Sequence, residues 1–446
     1  MRTRIGAIAR PAAAWPLAWR FMRLVGRFGP ICARLVVAGF LLSGAAACSA
    51  AGPAAPHAAT APASTTPAST SSGANPAAPA VFVTAGQAEV KGSGKATGPA
   101  GRGSSRPAGS SSPGAGAAAQ DTAGNPGGQA PVPAAAQAVD TSHPDHVIGD
   151  GTPAGCTSAA VVQAVAEGGI ITFNCGPAPV TITMTATAKV VNTSHQVVLD
   201  GGGKVTLSGG GTNRILYLNT CDAAQAYSTS DCWEQQWPQL VVQNLTFTDA
   251  YSATAEAGNA SYGGGAVFDE GGQLKVVNSV FTADRCYASG PDLGGGAIRA
   301  TGMDMSIPVY ITDDTFTGNS CSNGAALSGL FANFAVYNSL FTGNKAVGSG
   351  ANPAAAGTAG GGSGGAIYTD GTGYDLLVDG SAMSGNTANE GGGAIFYVVN
   401  SGGGTLTIDD STLTGNPSGK FQNAPGIFDE VDSVVTQPAE SGSSVS

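Results

Sequence analysis

The sequence has little charge, few aromatic residues and few histidines. Of its 446 residues, 11% are charged, 7% are aromatic and 4 are histidine. The histidines are His57, His143, His146 and His195. They lack the spacing of a zinc site, and the chain has no Ser–His–Asp signature, phosphate-binding loop or calcium-binding nonapeptide. These absences exclude the enzyme classes that such motifs define, and no metal ligands are predicted.

The charge that is present is mostly negative. Seven arginines and no acid precede Cys48, which leaves 12 basic and 29 acidic residues after it, a formal charge of −17. Such a surface repels nucleic acid. We therefore expect no nucleic-acid partner.

The first 48 residues are typical of an export signal. Residues 35–47 (LVVAGFLLSGAAA) form an apolar run behind Arg23, Arg27 and Arg34. The run is too short for a membrane-spanning helix and suits the hydrophobic region of a signal peptide. Residues 1–21 are unusual for a signal and Met22 begins a more ordinary one, so translation starts at Met1 or at Met22.

The small residues before Cys48 resemble the lipobox of bacterial lipoproteins, although Ala45 stands where Leu is usual. The resemblance implies that Cys48 is diacylated and anchors the protein to a membrane at the cell surface. The alternative is cleavage near residues 47–51 without a lipid, which would release a secreted, extracellular protein.

Composition divides the rest of the chain into three parts. Residues 49–143 are rich in Ala, Pro, Ser, Gly and Thr and lack periodic apolar positions. They cannot offset the entropy of ordering and are predicted to form a disordered tether. Residues 144–436 are predicted to form the folded domain, and residues 437–446 a polar tail.

Six cysteines follow the signal, and export would place them in an oxidising compartment. They are Cys156, Cys175, Cys221, Cys232, Cys286 and Cys321. The first two bracket one cap, the next two bracket one insertion, and the last two occupy equivalent repeat positions, so we predict these three disulfides. Six buried free thiols are the alternative.

A short helix is predicted over residues 159–167, ended by Gly168 and Gly169 and followed by a strand over residues 170–173. Short β-rich runs separated by glycine come next, and then a repeat in which a large apolar residue recurs at intervals of 34, 35, 25, 42 and 30 residues. Those residues are Phe247, Phe281, Phe316, Phe341, Met383 and Leu413. A Gly-Gly-Ala element recurs between them.

Each repeat is too short to bury its own apolar face, so neighbouring repeats must stack, with like residues about 4.8 Å apart. We therefore predict an all-β protein, a single right-handed parallel β-helix with a short N-terminal capping helix. A β-propeller is the main competitor, but its blades need four strands each.

The pairing of Gly365-Ala366-Ile367 with Phe341-Thr342-Gly343-Asn344 resembles the repeat of polymorphic outer membrane proteins over residues 240–420. Residues 198–210 are similar to the early coils of the pectate-lyase-like superfamily. The resemblance implies a parallel β-helix. It specifies function poorly.

An enzyme of that superfamily would resemble a polysaccharide lyase, which uses calcium and a basic residue, or a glycoside hydrolase, which uses paired acids. The candidate catalytic residues are Asp284, Arg285, Arg299 and Asp313, with Asp269, Glu270 and Asp314 nearby. The alternative is structural, because Asp284 and Asp313 fall on positions that Asn occupies in other repeats.

A second candidate site is a row beside the Gly-Gly-Ala element. Alternation along a strand predicts that Val267, Ile298, Ala326, Ile367 and Ile395 point inward and that their neighbours point outward. The outward neighbours are Phe268, Arg299, Leu327, Tyr368 and Phe396. Such a stripe would stack sugar rings, unless an insertion such as residues 346–363 covers it.

The insertion between Cys221 and Cys232, with Trp233 and Trp237, is either a binding lip or a loop packed on the coils. The leading functional hypothesis is a surface protein that acts in binding or adhesion, with a carbohydrate or another cell-envelope component as its ligand. The alternatives are a polysaccharide lyase or hydrolase, with calcium if a lyase, and a purely structural envelope component.

Overall fold

The computed structural model describes residues 123–253, 263–291, 293–350 and 360–446. The chain divides into two units, Met1–Arg106 and Pro107–Ser446, and all described residues belong to the second. The predicted signal peptide, Cys48 and most of the predicted tether lie outside the described residues. Within the described part of the chain, no helix is long and apolar enough to cross a membrane.

β-Strands are the main regular structure of the described residues and form three sheets, which we call sheet 1, sheet 2 and sheet 3. Sheet 1 has 17 strands: His146–Ile148, Gly169–Phe173, Val180–Thr183, Gln196–Ser208, Gln239–Thr248, Gln273–Val277, Val280–Thr282, Val309–Thr312, Thr315–Thr317, Phe334–Tyr337, Leu340–Thr342, Leu376–Asp379, Ala382–Ser384, Leu406–Asp409, Thr412–Thr414, Ala439–Ser441 and Ser444–Val445. Sheet 2 has five: Tyr251–Ser252, Arg285–Cys286, Ser320–Cys321, Lys345–Ala346 and Thr387–Ala388. Sheet 3 has nine: Ala188–Lys189, Leu216–Asn219, Val267–Glu270, Ile298–Thr301, Leu327–Leu330, Ile367–Gly371, Ile395–Val399, Ile427–Val431 and Val434–Val435.

From Gln239–Thr248 to Ile395–Val399 the chain passes from sheet 1 to sheet 2 to sheet 3 and back, whereas before Gln239 it passes directly between sheets 1 and 3. We call each such turn of the chain a coil. Strands of successive coils pair in parallel, except for the final hairpin of sheet 3, where Val431 pairs antiparallel with Val434. Long parallel sheets visited in a fixed order are consistent with a β-helix-like fold.

The one α-helix among the described residues, Ser158–Glu167, confirms the predicted helix to within one residue. The Thr157 side chain accepts a hydrogen bond from the Ala160 amide, and Gly168 ends the helix with φ 81°. Its buried residues Val161 and Val165 join the interior at the first coils. Three short 3-10 helices accompany it, Ala134–Ala136, Pro153–Gly155 and Cys232–Glu234.

The predicted apolar column is confirmed by the strand register. Phe281 pairs with Phe247 and Phe316, Phe341 with Phe316 and Met383, and Met383 with Leu413. The four phenylalanine rings stack nearly parallel, with centroids 4.8 to 4.9 Å apart. These rings are fully buried and form the centre of the hydrophobic interior.

The three predicted cysteine pairings are also confirmed. The Cα atoms are 5.7 Å apart in Cys156–Cys175, 5.1 Å in Cys221–Cys232 and 4.7 Å in Cys286–Cys321. The last pair joins two successive coils, which is the spacing that stacked strands impose. Disulfides of this kind indicate an oxidising environment, such as the extracellular space.

One coil differs from the predicted register. Ile298 pairs with Leu327, and Arg299 with Ser328, so Leu327 points inward and the prediction that it points outward is wrong. In this coil the inward-pointing Leu327 follows Gly324-Ala325-Ala326. The predicted equivalent of Gly-Gly-Ala was Asn323-Gly324-Ala325, which begins one residue earlier. A shift of one residue exchanges the two faces of a strand.

Two segments at the ends of the domain pack where their composition did not predict it. Residues 123–141, part of the predicted tether, lie along the outer face of sheet 1, where Val139 and Gln243 exchange hydrogen bonds. Within residues 437–446, the predicted polar tail, Ala439–Ser441 and Ser444–Val445 add two strands to sheet 1. Both segments are held largely by backbone groups, which composition does not reveal.

Candidate binding surface

The predicted row of outward side chains lies on the outer side of sheet 3. Strand register aligns Phe268 with Arg299, and Tyr368 with Phe396. All four are nevertheless buried, with exposed fractions of 0%, 1%, 5% and 2% respectively. The exposure that the predicted binding role requires is therefore lacking at these positions.

Neighbouring side chains account for this burial. The Phe268 ring stacks on Tyr217, with centroids 5.5 Å apart, and the Arg214 guanidinium lies 5.1 Å from its centre. Phe396 packs edge-on against Phe421 from the loop that precedes the last strands of sheet 3. The row thus resembles a second, smaller core between the sheet and its covering loops.

Arg299 is held inside this row rather than presented to a ligand. Its Nη1 donates a hydrogen bond to Ser328 Oγ at 2.5 Å. Ser328 belongs to the next coil of the same sheet, so this contact joins two coils.

The predicted catalytic residues are distributed over three sheets. Asp284 lies at the end of sheet 1 and points inward, Arg285 is exposed on sheet 2, and Arg299 is buried on sheet 3. The Arg285 guanidinium lies 5.4 Å from the centre of the Tyr251 ring. Asp313 occupies the turn between two strands of sheet 1, with φ 55°. The structure does not bring the four residues together as one site.

Asp284 belongs to a ladder of amides inside the coils. Its Oδ1 accepts a hydrogen bond from the Ala250 amide, and its own amide donates to Asn319 Oδ1, both at 2.9 Å. The ladder continues through Asn344 and Asn386, each of whose Nδ2 donates to a backbone carbonyl of the preceding coil. The structural alternative for Asp284 is therefore the one the contacts support.

Asp314 occupies a second ladder, in which the backbone amide of each coil donates to a side chain of the next. Ser339 and Ser381 hold this position in later coils, and Asp314 Oδ1 accepts from the Ser279 amide at 2.7 Å. Burial raises the pKa of the Asp284 and Asp314 carboxyls well above their usual range.

Exposed aromatic side chains are concentrated elsewhere, at the corner where the chain leaves sheet 3 for sheet 1. Trp233, Trp237 and Phe331 have exposed fractions of 47%, 44% and 41%, and we call these three the aromatic corner. Tyr227, exposed by 46%, lies within the segment closed by the Cys221–Cys232 disulfide, and the two tryptophans follow that disulfide in the same connection between strands Leu216–Asn219 and Gln239–Thr248. Large exposed aromatics in one place are typical of a binding surface.

Glycines at the corner allow aromatic rings to approach the backbone closely. Gly302 follows a strand of sheet 3, and a Cβ there would lie 2.8 Å from atoms of the Trp233 ring. Phe331 follows the equivalent strand of the next coil, so its backbone lies about one strand spacing, ~4.8 Å, from that of Gly302. A Cβ at Gly371, one coil further, would come within 3.1 Å of the Phe331 ring.

Glu270 fixes the loop that carries the tryptophans. Its Oε1 accepts a hydrogen bond from Trp233 Nε1 at 3.0 Å, and its Oε2 accepts one from Asn219 Nδ2 at 2.7 Å. Burial raises the pKa of Glu270, although both hydrogen bonds oppose that shift. Both carboxylate oxygens therefore position the loop.

Two further contacts hold the segment that carries Trp237. The His195 ring lies 5.8 Å from the Trp237 ring, and Gln236 Nε2 donates to Asp304 Oδ2 at 2.8 Å. Together with the Cys221–Cys232 disulfide, these contacts join the loop to coils on either side of it. The corner is therefore fixed before any ligand arrives, which lowers the entropy lost on binding.

Part of this surface was predicted from the sequence, since the insertion with Trp233 and Trp237 was expected to be either a binding lip or a loop packed on the coils. The chain has four tryptophans, and the two that follow Cys48 are both in this loop. Phe331 could not be found in the same way, because its exposure depends on a turn that the repeat does not specify.

Comparison with known protein families, curated proteins and solved structures gave no match. Among the described residues, no group of three or more His, Cys, Asp or Glu side chains is arranged to hold a metal ion. The geometry of the corner is therefore the feature from which function is inferred.

Proposed function

We propose that this chain is an exported right-handed parallel β-helix protein that binds a carbohydrate or another cell-envelope component at the aromatic corner. Right-handed winding is the connection that L-amino acids favour between parallel strands. Exposure of Trp233 and Trp237 on a pinned loop, together with exposure of Phe331 at the same corner, is the observation that carries the proposal.

The chemistry of the corner favours a sugar. Indole and phenyl faces offer flat apolar surface to the C–H faces of sugar rings, while neighbouring amides and carboxylates bond to hydroxyls. Gln236 and Asp304 lie beside the tryptophans and supply such groups. The formal charge of −17 after Cys48 favours neutral glycans over acidic ones.

The remaining parts of the proposal concern location. A lipid on Cys48 would hold the protein at the membrane, and the Ala/Pro-rich residues after it would place the coils at a distance from the surface. Three disulfides suit such an exported protein.

The test is retention of the full chain on a panel of immobilised polysaccharides. We expect binding to at least one neutral polysaccharide, and about a tenfold loss of affinity in Trp233→Ala and in Trp237→Ala. Tyr287→Ala is the matched control, because Tyr287 is exposed by 39% but lies beyond sheet 2.

The same panel, incubated with and without calcium, tests the enzyme hypothesis. If the wild type releases unsaturated or reducing ends, and Arg299→Ala or Asp284→Ala abolishes that release, the function is catalysis rather than binding. Retention that is equal in the tryptophan variants and the wild type would disprove the aromatic corner as the site.

A further inference from the structure

Residues 123–141, which we call the strap, cross the coils on the outer face of sheet 1. Near its start, the Gly124 amide donates to Thr315 Oγ1 at 2.8 Å, and near its end Thr141 Oγ1 donates to Asp200 Oδ2 at 2.7 Å. The strap thus passes from later coils to earlier ones, across the strands rather than alongside them.

Two amide side chains bind the backbone of the strap. Asn338 donates to the Ala130 carbonyl at 3.1 Å and accepts from the Ala130 amide at 2.8 Å. Gln243 does the same for Val139, at 3.0 Å and 2.9 Å. Each pair satisfies both backbone groups of one residue, so it recognises an extended peptide without using the peptide's side chains.

The apolar contacts select small side chains. Ala130 and Ala136 are buried against Ala335 and Tyr337. A Cβ at Gly128 would lie 2.7 Å from the carbonyl oxygen of Gly380. The face of sheet 1 therefore fits a peptide that is rich in Ala and Gly at these points and makes one 3-10 turn at Ala134–Ala136.

We propose that this face is a peptide-recognition groove, that the strap is its intramolecular ligand, and that the groove takes the same segment from a second copy of the chain when its own strap is released. None of the contacts above requires the strap to be covalently continuous with the first coil. The junction after it, at Ser142 and His143, is exposed. Exchange between copies would link neighbouring molecules on a surface.

The experiment uses the full chain with a specific protease site inserted between Ser142 and His143. After cleavage, a fluorescent synthetic peptide of residues 123–141 is added and its anisotropy is followed. We expect the cleaved strap to remain bound in gel filtration and to be exchanged, saturably, for the labelled peptide.

The variant Asn338→Gly removes both hydrogen bonds to Ala130. Glycine tolerates the positive φ of 48° at this position, and Gly380 already occupies it in the next coil. We expect the affinity for the peptide to fall about tenfold or more. The matched control is Asn278→Gly, which has the same φ and whose Nδ2 donates to Asn244 rather than to the strap.

A second arm leaves the domain unchanged and alters the peptide. Replacing Ala136 by Trp in the synthetic peptide should abolish binding, since that position is fully buried. The proposal is overturned if no labelled peptide enters the cleaved protein, if Asn338→Gly and Asn278→Gly bind it equally, or if the Trp peptide binds as well as the natural one.

Discussion

The interior of the coils and the aromatic corner differ in how each residue acquires its surroundings. Phe316 lies between Phe281 and Phe341, and the same environment recurs in every neighbouring coil. Trp233 lies at the corner on a loop that only one coil carries, directly after the Cys221–Cys232 disulfide and hydrogen-bonded to Glu270. A buried acid such as Asp284, which occupies a position that recurs from coil to coil, is therefore explained by the stacking of coils. The loop that carries Trp233 occurs in one coil, and it is there that we expect a ligand to be recognised.

The largest effect is expected in the apolar column. Phe316→Ala should lower the free energy of unfolding by about 4 kcal/mol, because a fully buried ring is replaced by a cavity between two stacked rings. Chemical denaturation measures this change. A loss below ~1 kcal/mol would show that the rings do not form a continuous column.

Removing the disulfides one at a time distinguishes the aromatic corner from the interior of the coils. Replacing Cys221 and Cys232 together by Ser should lower the free energy of unfolding by about 3 kcal/mol and also weaken ligand binding, because Trp233 adjoins the bridge.

The matched control replaces Cys286 and Cys321 by Ser. This bridge closes a loop of greater sequence separation, 35 against 11, so its loss should destabilise the chain at least as much. Binding at the corner should not change. Equal losses of ligand affinity in the two double variants would contradict the distinction between the corner and the interior of the coils.

A smaller effect is expected at Asp284. Asp284 Oδ2 is buried with no hydrogen-bond partner among the described residues, where the other ladder members place an amide nitrogen. Asp284→Asn should therefore raise the free energy of unfolding at pH 7 by about 1–2 kcal/mol. The reverse change, Asn319→Asp, should lower it.

The gain in the free energy of unfolding from Asp284→Asn should depend on pH. Burial raises the pKa of the Asp269, Asp284 and Asp314 carboxyls, so folding favours their protonated forms. The stabilisation that these protonated carboxyls contribute to the free energy of unfolding is complete below the unfolded-state pKa of about 3.9. It is lost as the pH rises through their folded-state pKa values. Denaturation across pH 4–8 should show the gain from Asp284→Asn growing with pH, and a constant gain would refute a titrating carboxyl.

The smallest effect on stability is expected at the corner. Trp237→Ala should change the free energy of unfolding by less than about 1 kcal/mol, because almost half of the side chain is exposed. Thermal melting followed by circular dichroism is the measurement. A loss as large as that of Phe316→Ala would mean that Trp237 is part of the core.

The recurring features could be predicted from the sequence because stacking places like residues on like. The spacing of Phe281 and Phe316 predicted both the column and the pairing of Cys286 with Cys321. Whether Tyr368 and Phe396 are exposed or covered could not be predicted, because covering loops such as the one carrying Phe421 do not follow the repeat.

The strap illustrates a different limit. Its Ala- and Pro-rich composition predicts disorder, yet Asn338 and Gln243 bind its backbone, and backbone contacts leave no pattern in the sequence that makes them. The register error at Leu327 has a local cause, since Gly324-Ala325-Ala326 replaces Gly-Gly-Ala there.

The most direct test of binding at the corner is tryptophan emission during titration with the best-retained polysaccharide. Trp233 and Trp237 are the only tryptophans after Cys48, so a protein processed at that residue reports from this loop alone. We predict a saturable change in emission whose midpoint equals the dissociation constant measured by an independent method. Saturable binding with unchanged emission would place the ligand elsewhere and contradict the account.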